Sequence, residues 1–122
     1  MKKNYILISQ IIFISISIIF WLFLLGPQYI NPSNQNWLYN GDLSIYQNGW
    51  KFFRNDIWRF PLGLNPNYGI YNGGSVVFSD SIPLLALIFK AINFLLPEKF
   101  QYFSLWFILC FFLQGYLSYL FQ

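Results

Sequence analysis

The most constraining feature of this sequence is an apolar segment near its N-terminus, Ile6–Leu25, which runs for 20 residues without a charge. As an α-helix it would be about 30 Å long, which matches the hydrocarbon core of a bilayer. A cleaved signal peptide is the alternative, but its apolar core is usually about 7–15 residues long and ends at a small-residue cleavage site. This segment is longer and lacks such a site, so the sequence favours an uncleaved membrane anchor.

Two further apolar segments lie close together in the second half of the chain. Ile82–Leu96 has 15 residues and includes Lys90, so it is short for a full crossing. Phe103–Phe121 has 19 residues and no charge, and only Pro97–Tyr102 separates the two segments. We therefore predict an all-α membrane protein with three transmembrane helices, over residues 6–25, 82–96 and 103–121, and a long loop over residues 27–81.

Basic residues near the predicted membrane boundaries set the orientation. Lys2 and Lys3 precede the first helix, and Lys99 lies in the predicted turn between the second and third. Because basic residues are enriched in cytoplasmic loops, we predict that the N-terminus and the turn at 97–102 are cytoplasmic. The loop and the C-terminus would then lie outside, which in a bacterium is the periplasm. The predicted location is the bacterial inner membrane, with the lipid bilayer as a partner.

Composition excludes several classes of function. The chain is 57% hydrophobic and only 9% charged, whereas a soluble domain typically carries about 25% charged residues. Its net charge is +3 and its longest basic cluster is Lys2-Lys3, so we predict no nucleic-acid partner. The absence of histidine excludes histidine triads and histidine metal ligands from this chain. A single cysteine, Cys110, excludes an internal disulfide.

The long loop contains a segment with helical periodicity, Asp42–Arg54. Four large side chains recur on one face of this segment, Leu43, Tyr46, Trp50 and Phe53. Aromatic residues of this kind are enriched at membrane interfaces. We therefore predict a short amphipathic helix that lies flat on the periplasmic surface of the inner membrane.

Two acidic residues of the loop are candidates for chemistry. Asp42 directly precedes the amphipathic helix, so it is either a helix N-cap or a general base for a lipid-linked substrate. Asp80 precedes the second apolar segment and is a weaker catalytic candidate. Together the two carboxylates could hold a divalent cation through oxygen ligands. Asp56 is expected to pair with Arg54 or Arg59.

The segment Trp58–Gly69 is rich in proline and glycine and is either a solvated connector or part of a sugar-binding surface. Aromatic rings stack on sugar faces, and polar side chains bind hydroxyl groups. The predicted substrate-binding residues are Trp50, Arg54, Trp58, Arg59 and Tyr68.

Two features of the apolar segments involve polar residues. Lys90 is either a functional charge within the membrane or a side chain that snorkels to its surface. On the last segment, Cys110, Gln114 and Ser118 lie on one helical face beside Gly115. This stripe of small and polar groups is typical of a helix-packing surface.

Several short segments carry a resemblance to a family of proteins from bacterial genomes. They are Asn40-Gly41-Asp42, Gly49-Trp50-x-Phe52-Phe53-Arg54, Trp58-x-Phe60-Pro61-Leu62-Gly63-x-Asn65-Pro66-x-Tyr68-Gly69, Phe78-Ser79-Asp80-Ser81-Ile82-Pro83-Leu84, Phe100-Gln101-Tyr102-Phe103-Ser104-Leu105-Trp106 and Cys110-x-x-x-Gln114-Gly115. The chain resembles an uncharacterised group of polytopic inner-membrane proteins. Its layout is similar to the start of the GT-C superfold of membrane glycosyltransferases.

This resemblance implies a function. In GT-C enzymes the first periplasmic loop carries an essential acidic residue, followed by surface helices and the second spanning helix. Asp42 matches that residue by position, and a polyprenyl-phosphate-linked sugar would be the donor. The chain would be the N-terminal part of a longer enzyme, with the remaining helices as its partners, and would be inactive alone. The alternatives are a small non-enzymatic membrane subunit and part of a transporter.

Overall fold

The computed structural model describes residues 2–69, 73–79 and 82–120. This part of the chain is mainly helical, as the predicted all-α class requires. Its five α-helices are α1 (Lys2–Leu25), α2 (Leu43–Asn55), α3 (Val76–Ser79), α4 (Pro83–Ala91) and α5 (Phe103–Leu120). Short 3₁₀ helices occupy Pro27–Tyr29, Asn36–Tyr39 and Asn93–Leu95. Two short strands, β1 (Leu64–Asn65) and β2 (Gly74–Ser75), pair in antiparallel register.

The chain divides into two compact units. The first, which we call the two-helix unit, comprises Met1–Pro32 and Phe103–Gln122 and contains α1 and α5. The second, the loop unit, comprises Ser33–Tyr102 and contains the other helices and both strands.

Within the two-helix unit, α1 is the element suited to a membrane. Its segment Ile8–Leu25 is 18 residues long, and among the described residues it is the one helical segment long and apolar enough to cross a bilayer. The apolar part of α5 over which side chains are described, Phe103–Ser118, is shorter. The structure therefore indicates a membrane anchor or a signal sequence at the N-terminus.

Helices α1 and α5 pack against each other closely at Gly115. A Cβ atom at this position would collide with the ring of Phe13, which would have to move to admit it. Of the predicted packing stripe on α5, Gly115 thus contacts α1, whereas Gln114 and Ser118 are exposed. Elsewhere along the pair, Trp21 is buried.

The second predicted transmembrane segment differs from its prediction. Helix α4 has nine residues, which corresponds to about 14 Å and is too short for a bilayer core of about 30 Å. It ends at Ala91, and a 3₁₀ turn begins at Asn93. The Asn93 amide explains the break, because it donates to the Arg54 carbonyl oxygen and accepts from the Arg54 guanidinium. A hydropathy pattern does not detect such a side-chain bond.

Hydrogen bonds within the loop unit also correct the predicted topology of the turn at 97–102. The Trp50 indole Nε1 donates to the Phe100 carbonyl oxygen at 3.1 Å. Arg54 Nη1 donates to the Glu98 carbonyl oxygen at 2.9 Å. Residues joined in this way cannot lie on opposite sides of a membrane, so the turn lies on the same side as the loop. The prediction that the turn at 97–102 and the loop lie on opposite sides of the membrane is therefore wrong.

Helix α2 is the central element of the loop unit, and its apolar face is covered by protein. Trp50 and Phe53 are fully buried, and Trp50 contacts the ring of Tyr102 edge-to-face at 5.0 Å. This part of the predicted membrane-surface face is therefore core. Gly49 lies against the Ser79 carbonyl oxygen, where a Cβ atom would collide with the backbone. The close approach of α2 and α3 explains a glycine in mid-helix.

Candidate functional site

The loop unit contains an open polar cleft of about 540 Å³ along one side of α2. Three parts of the chain form it: the segment before and within the first 3₁₀ turn of this unit, the C-terminal part of α2, and the turn after α4. The lining residues are Ser33, Asn34, Gln35, Asn36, Tyr39, Gln47, Trp50, Lys51, Arg54, Asn55, Glu98, Lys99 and Phe100.

Arg54 connects two of these parts. Its Nε and Nη2 atoms donate to Asn93 Oδ1 at 3.0 and 2.7 Å, and Nη2 also donates to the Pro97 carbonyl oxygen at 3.1 Å. Its Nη1 atom donates to the Glu98 and Phe100 carbonyl oxygens at 2.9 and 3.3 Å. The guanidinium thus fixes the turn after α4 against α2, which shapes the wall of the cleft.

Burial of the Arg54 side chain lowers the pKa of its guanidinium, and the nearby Glu98 carboxylate opposes this shift. An arginine in a protein nonetheless remains protonated at neutral pH. Arg54 therefore contributes a permanent positive charge to the cleft, although its hydrogen bonds go to protein acceptors.

Trp50 has a similar structural role at the same wall. Its side chain is fully buried, and its indole N–H is used by the Phe100 carbonyl oxygen. Of the five predicted substrate-binding residues, Trp50 and Arg54 thus line the cleft but direct their polar atoms to protein. They support the site and do not present those atoms to a ligand.

The polar residue that sequence reasoning missed is Gln47. It is fully buried among the lining residues, and neither amide atom has a hydrogen-bond partner in the part of the chain that the structure describes. The sequence contains a signal for this residue: Gln47 lies one helical turn before Trp50 and two turns before Arg54, on the same face of α2. A polar residue on the buried face of an amphipathic helix is the exception that needs an explanation.

The other three predicted binding residues lie away from the cleft. The exposed Arg59 donates from Nε to Asp56 Oδ2 at 3.2 Å, as predicted for Asp56. This hydrogen bond lowers the pKa of the Asp56 carboxyl. The Tyr68 hydroxyl donates to the Ile45 carbonyl oxygen at 3.1 Å. Trp58 is half-exposed and contacts the ring of Phe53.

Lys90 occupies neither of the two environments proposed for it. It is buried within the loop unit, with its Nζ atom 3.9 Å from the Phe53 ring centroid and 5.0 Å from that of Trp58. The amine also donates to the Ile57 carbonyl oxygen at 3.3 Å. Aromatic faces and a carbonyl thus stabilise this charge.

Asp42 lies at the N-terminus of α2 but does not cap it. Its backbone already has helical angles, with φ −65° and ψ −25°, and its side chain accepts no cap hydrogen bond. An N-cap residue needs an extended backbone for its side chain to reach the following N–H groups, which explains the difference. The Asp42 carboxylate is exposed, and Asp42 is not among the residues that line the cleft.

The predicted pairing of Asp42 with Asp80 lies partly outside the structure. Asp80 is not among the described residues. Within residues 2–69, 73–79 and 82–120 there is no group of three or more acidic or cysteine side chains that could hold a metal ion.

Comparison with protein families identifies the chain. Residues 14–121 match the family described as a domain of unknown function, DUF6311. The chain belongs to the DUF6311 family. Comparisons with curated proteins and with solved structures gave no significant match. The DUF6311 match covers every residue of the cleft, from Ser33 to Phe100, and also Asp42.

Proposed function

We propose that this DUF6311 chain is the N-terminal part of a bacterial inner-membrane glycosyltransferase that takes its sugar from a polyprenyl-phosphate donor. In this proposal Asp42 is the general base, which removes a proton from the acceptor as the sugar is transferred. The loop unit lies in the periplasm, and the N-terminus lies in the cytoplasm.

The observation that carries the proposal is the state of the Asp42 carboxylate. The residue is exposed and its side chain makes no cap hydrogen bond, so the structural role that competed with catalysis is unoccupied. A general base must be able to reach the hydroxyl or amide from which it takes a proton. An exposed carboxylate at the start of a helix meets that requirement.

The order of elements also supports the proposal. The resemblance to GT-C enzymes implies an acidic residue after the first spanning helix, then surface helices, and then a second spanning helix. In this chain Asp42 follows α1, the short helices α2, α3 and α4 come next, and the apolar α5 follows. With α4 in the loop unit, α5 would be the second crossing.

Replacement of Asp42 by asparagine tests the proposal in the complete protein. Asparagine has nearly the same size but cannot accept a proton at neutral pH. We expect transfer from a radiolabelled polyprenyl-phosphate sugar to fall by about 10²–10⁴-fold, the usual contribution of general acid–base catalysis. The measurement uses membranes in which the amount of protein is matched by immunoblot.

Asp56→Asn is the matched control, because it also removes one loop carboxylate, whose hydrogen bonds are with Arg59 and the Ile57 backbone N–H. We expect it to retain near-normal transfer. Because Asp42 makes no cap hydrogen bond, Asp42→Ala should change the free energy of unfolding by less than about 0.5 kcal/mol. Near-normal transfer by Asp42→Asn would exclude the catalytic role.

A further inference from the structure

The polar cleft beside α2 has the dimensions of a small-molecule site. Its volume of about 540 Å³ lies within the usual range for ligand pockets, roughly 300–1,000 Å³. Nothing in the proposed catalytic role of Asp42 uses it, since Asp42 is not a lining residue. The proposed catalysis therefore assigns no role to the lining residues of the cleft.

The inner wall of the cleft contains a buried, unpartnered amide. Gln47 is fully buried, and across the described part of the chain both its Nε2 and Oε1 atoms lack a hydrogen-bond partner. Buried polar atoms are almost always paired in native proteins, because an unpaired buried group loses its hydration without compensation. A ligand that binds here would restore both bonds. An amide offers one acceptor and two donors, which match the hydroxyl groups of a saccharide.

The rim of the cleft carries an excess of positive charge. Lys51 and Lys99 are exposed lining residues, Arg54 contributes a buried positive charge, and Glu98 is the one acidic residue among the lining residues. Among the described residues the one ion pair is that of Arg59 with Asp56, so neither lysine is in a salt bridge there. The two amines are therefore available to an anionic group of a ligand.

We infer that this cleft binds an acidic saccharide, in which hydroxyl groups pair with the Gln47 amide and a carboxylate or phosphate pairs with Lys51 and Lys99. A free sugar acid and a sugar phosphate share this chemistry. The inference stands independently of the proposed glycosyl transfer, because it rests on different residues from the catalytic proposal.

Ligand titrations of the complete protein in lipid nanodiscs test the inference. The probes are glucuronate, glucose 1-phosphate, glucose and inorganic phosphate, with binding followed by calorimetry. We expect glucuronate or glucose 1-phosphate to bind at least about tenfold more tightly than glucose and than inorganic phosphate, since only the acidic sugars use both parts of the site. The tighter of the two identifies the anionic group. Equal affinity for glucose or for phosphate alone would overturn the inference.

Two variants assign the contacts. Gln47→Leu removes both amide atoms with little change in volume and should weaken binding of the preferred acidic sugar at least about tenfold. Its melting temperature should not fall, because it replaces an unpaired buried amide by an apolar group, so lost binding cannot be ascribed to unfolding. Lys99→Gln should weaken acidic-sugar binding and leave glucose binding unchanged.

Arg59→Gln is the matched control for charge, since it removes a cation that does not line the cleft, and it should bind like the wild type. Normal affinity in Gln47→Leu would overturn the inference. Asp42→Asn should retain full affinity, so a failure of the catalytic proposal and a failure of this one give different results.

Discussion

The two units of this chain bury different kinds of side chain. In the two-helix unit, most of the described large apolar side chains of α1 are exposed, and Gly115 of α5 lies close to the Phe13 ring of α1. In the loop unit, an aromatic core surrounds buried polar residues, including Gln47, Arg54 and Asn65. Hydropathy alone therefore describes the first unit well. The second unit depends on individual hydrogen bonds that hydropathy does not report.

The largest expected effect concerns the side of the membrane on which each part of the loop unit lies. In a Cys110→Ala background, single cysteines at Asn36 and at Glu98 should both react with a membrane-impermeant thiol reagent in intact spheroplasts. The reason is that both residues line the same cleft. Labelling is measured by the mass shift of the protein on a gel.

A cysteine at Lys3 is the control for this experiment and should react only after the membrane is permeabilised. Reaction at Asn36 without reaction at Glu98 would contradict the structure of the loop unit and would restore α4 as a membrane crossing.

The second expected effect is on the stability of the loop unit. Arg54→Met should lower its free energy of unfolding by about 3–5 kcal/mol, because the Asn93 side chain and three carbonyl oxygens lose a charged donor inside the protein. Urea unfolding followed by tryptophan fluorescence in detergent measures the change.

Arg59→Met is the matched control, because it removes the same charge from a side chain at the surface, where ion pairs contribute little. We expect its unfolding curve to overlay that of the wild type. Similar losses in both variants would show that net charge, and not the Arg54 network, stabilises the unit.

The smallest expected effect compares the two packing glycines. Gly49→Ala should destabilise the loop unit by about 1–3 kcal/mol despite the higher helix propensity of alanine, because the added Cβ meets the Ser79 backbone. Gly115→Ala should cost less, because its neighbour is the Phe13 ring, a side chain that can rotate. Thermal unfolding of each variant measures the difference.

A helix-propensity control is available at the adjacent position. Asn48→Ala also introduces alanine into α2, and it should be neutral or slightly stabilising. If Gly49→Ala were stabilising as well, the close approach of α2 and α3 would be absent.

The sequence predicts features that depend on the spacing of similar residues. It does not predict features that depend on one distant bonding partner. The periodicity of Asp42–Arg54 predicts a helix there, and α2 occupies Leu43–Asn55. Charge-free length predicts a helix from Ile6 to Leu25, and α1 includes all of it. Both features depend only on the spacing of similar residues.

Features that depend on a distant partner were not predictable in this way. The break after Ala91 follows from the bonds between Asn93 and Arg54, which lie 39 residues apart. The burial of Trp50 against Tyr102 and its bond to the Phe100 carbonyl oxygen exist only in the folded unit. The sequence alone therefore predicts a sugar-stacking role for Trp50. Asp42 looked like a cap because its helical backbone angles are not encoded in its residue type.

The long sequence separation of the Arg54 bonds has a consequence for biosynthesis. Its acceptors lie from 39 to 46 residues further along the chain. At a synthesis rate of about 5–20 residues per second, the ribosome makes Phe100 about 2–9 s after Arg54. Throughout that interval α2 has formed no bonds to the turn that completes its unit. The bonds that join α2 to this turn can therefore be complete only after Phe100 has been made.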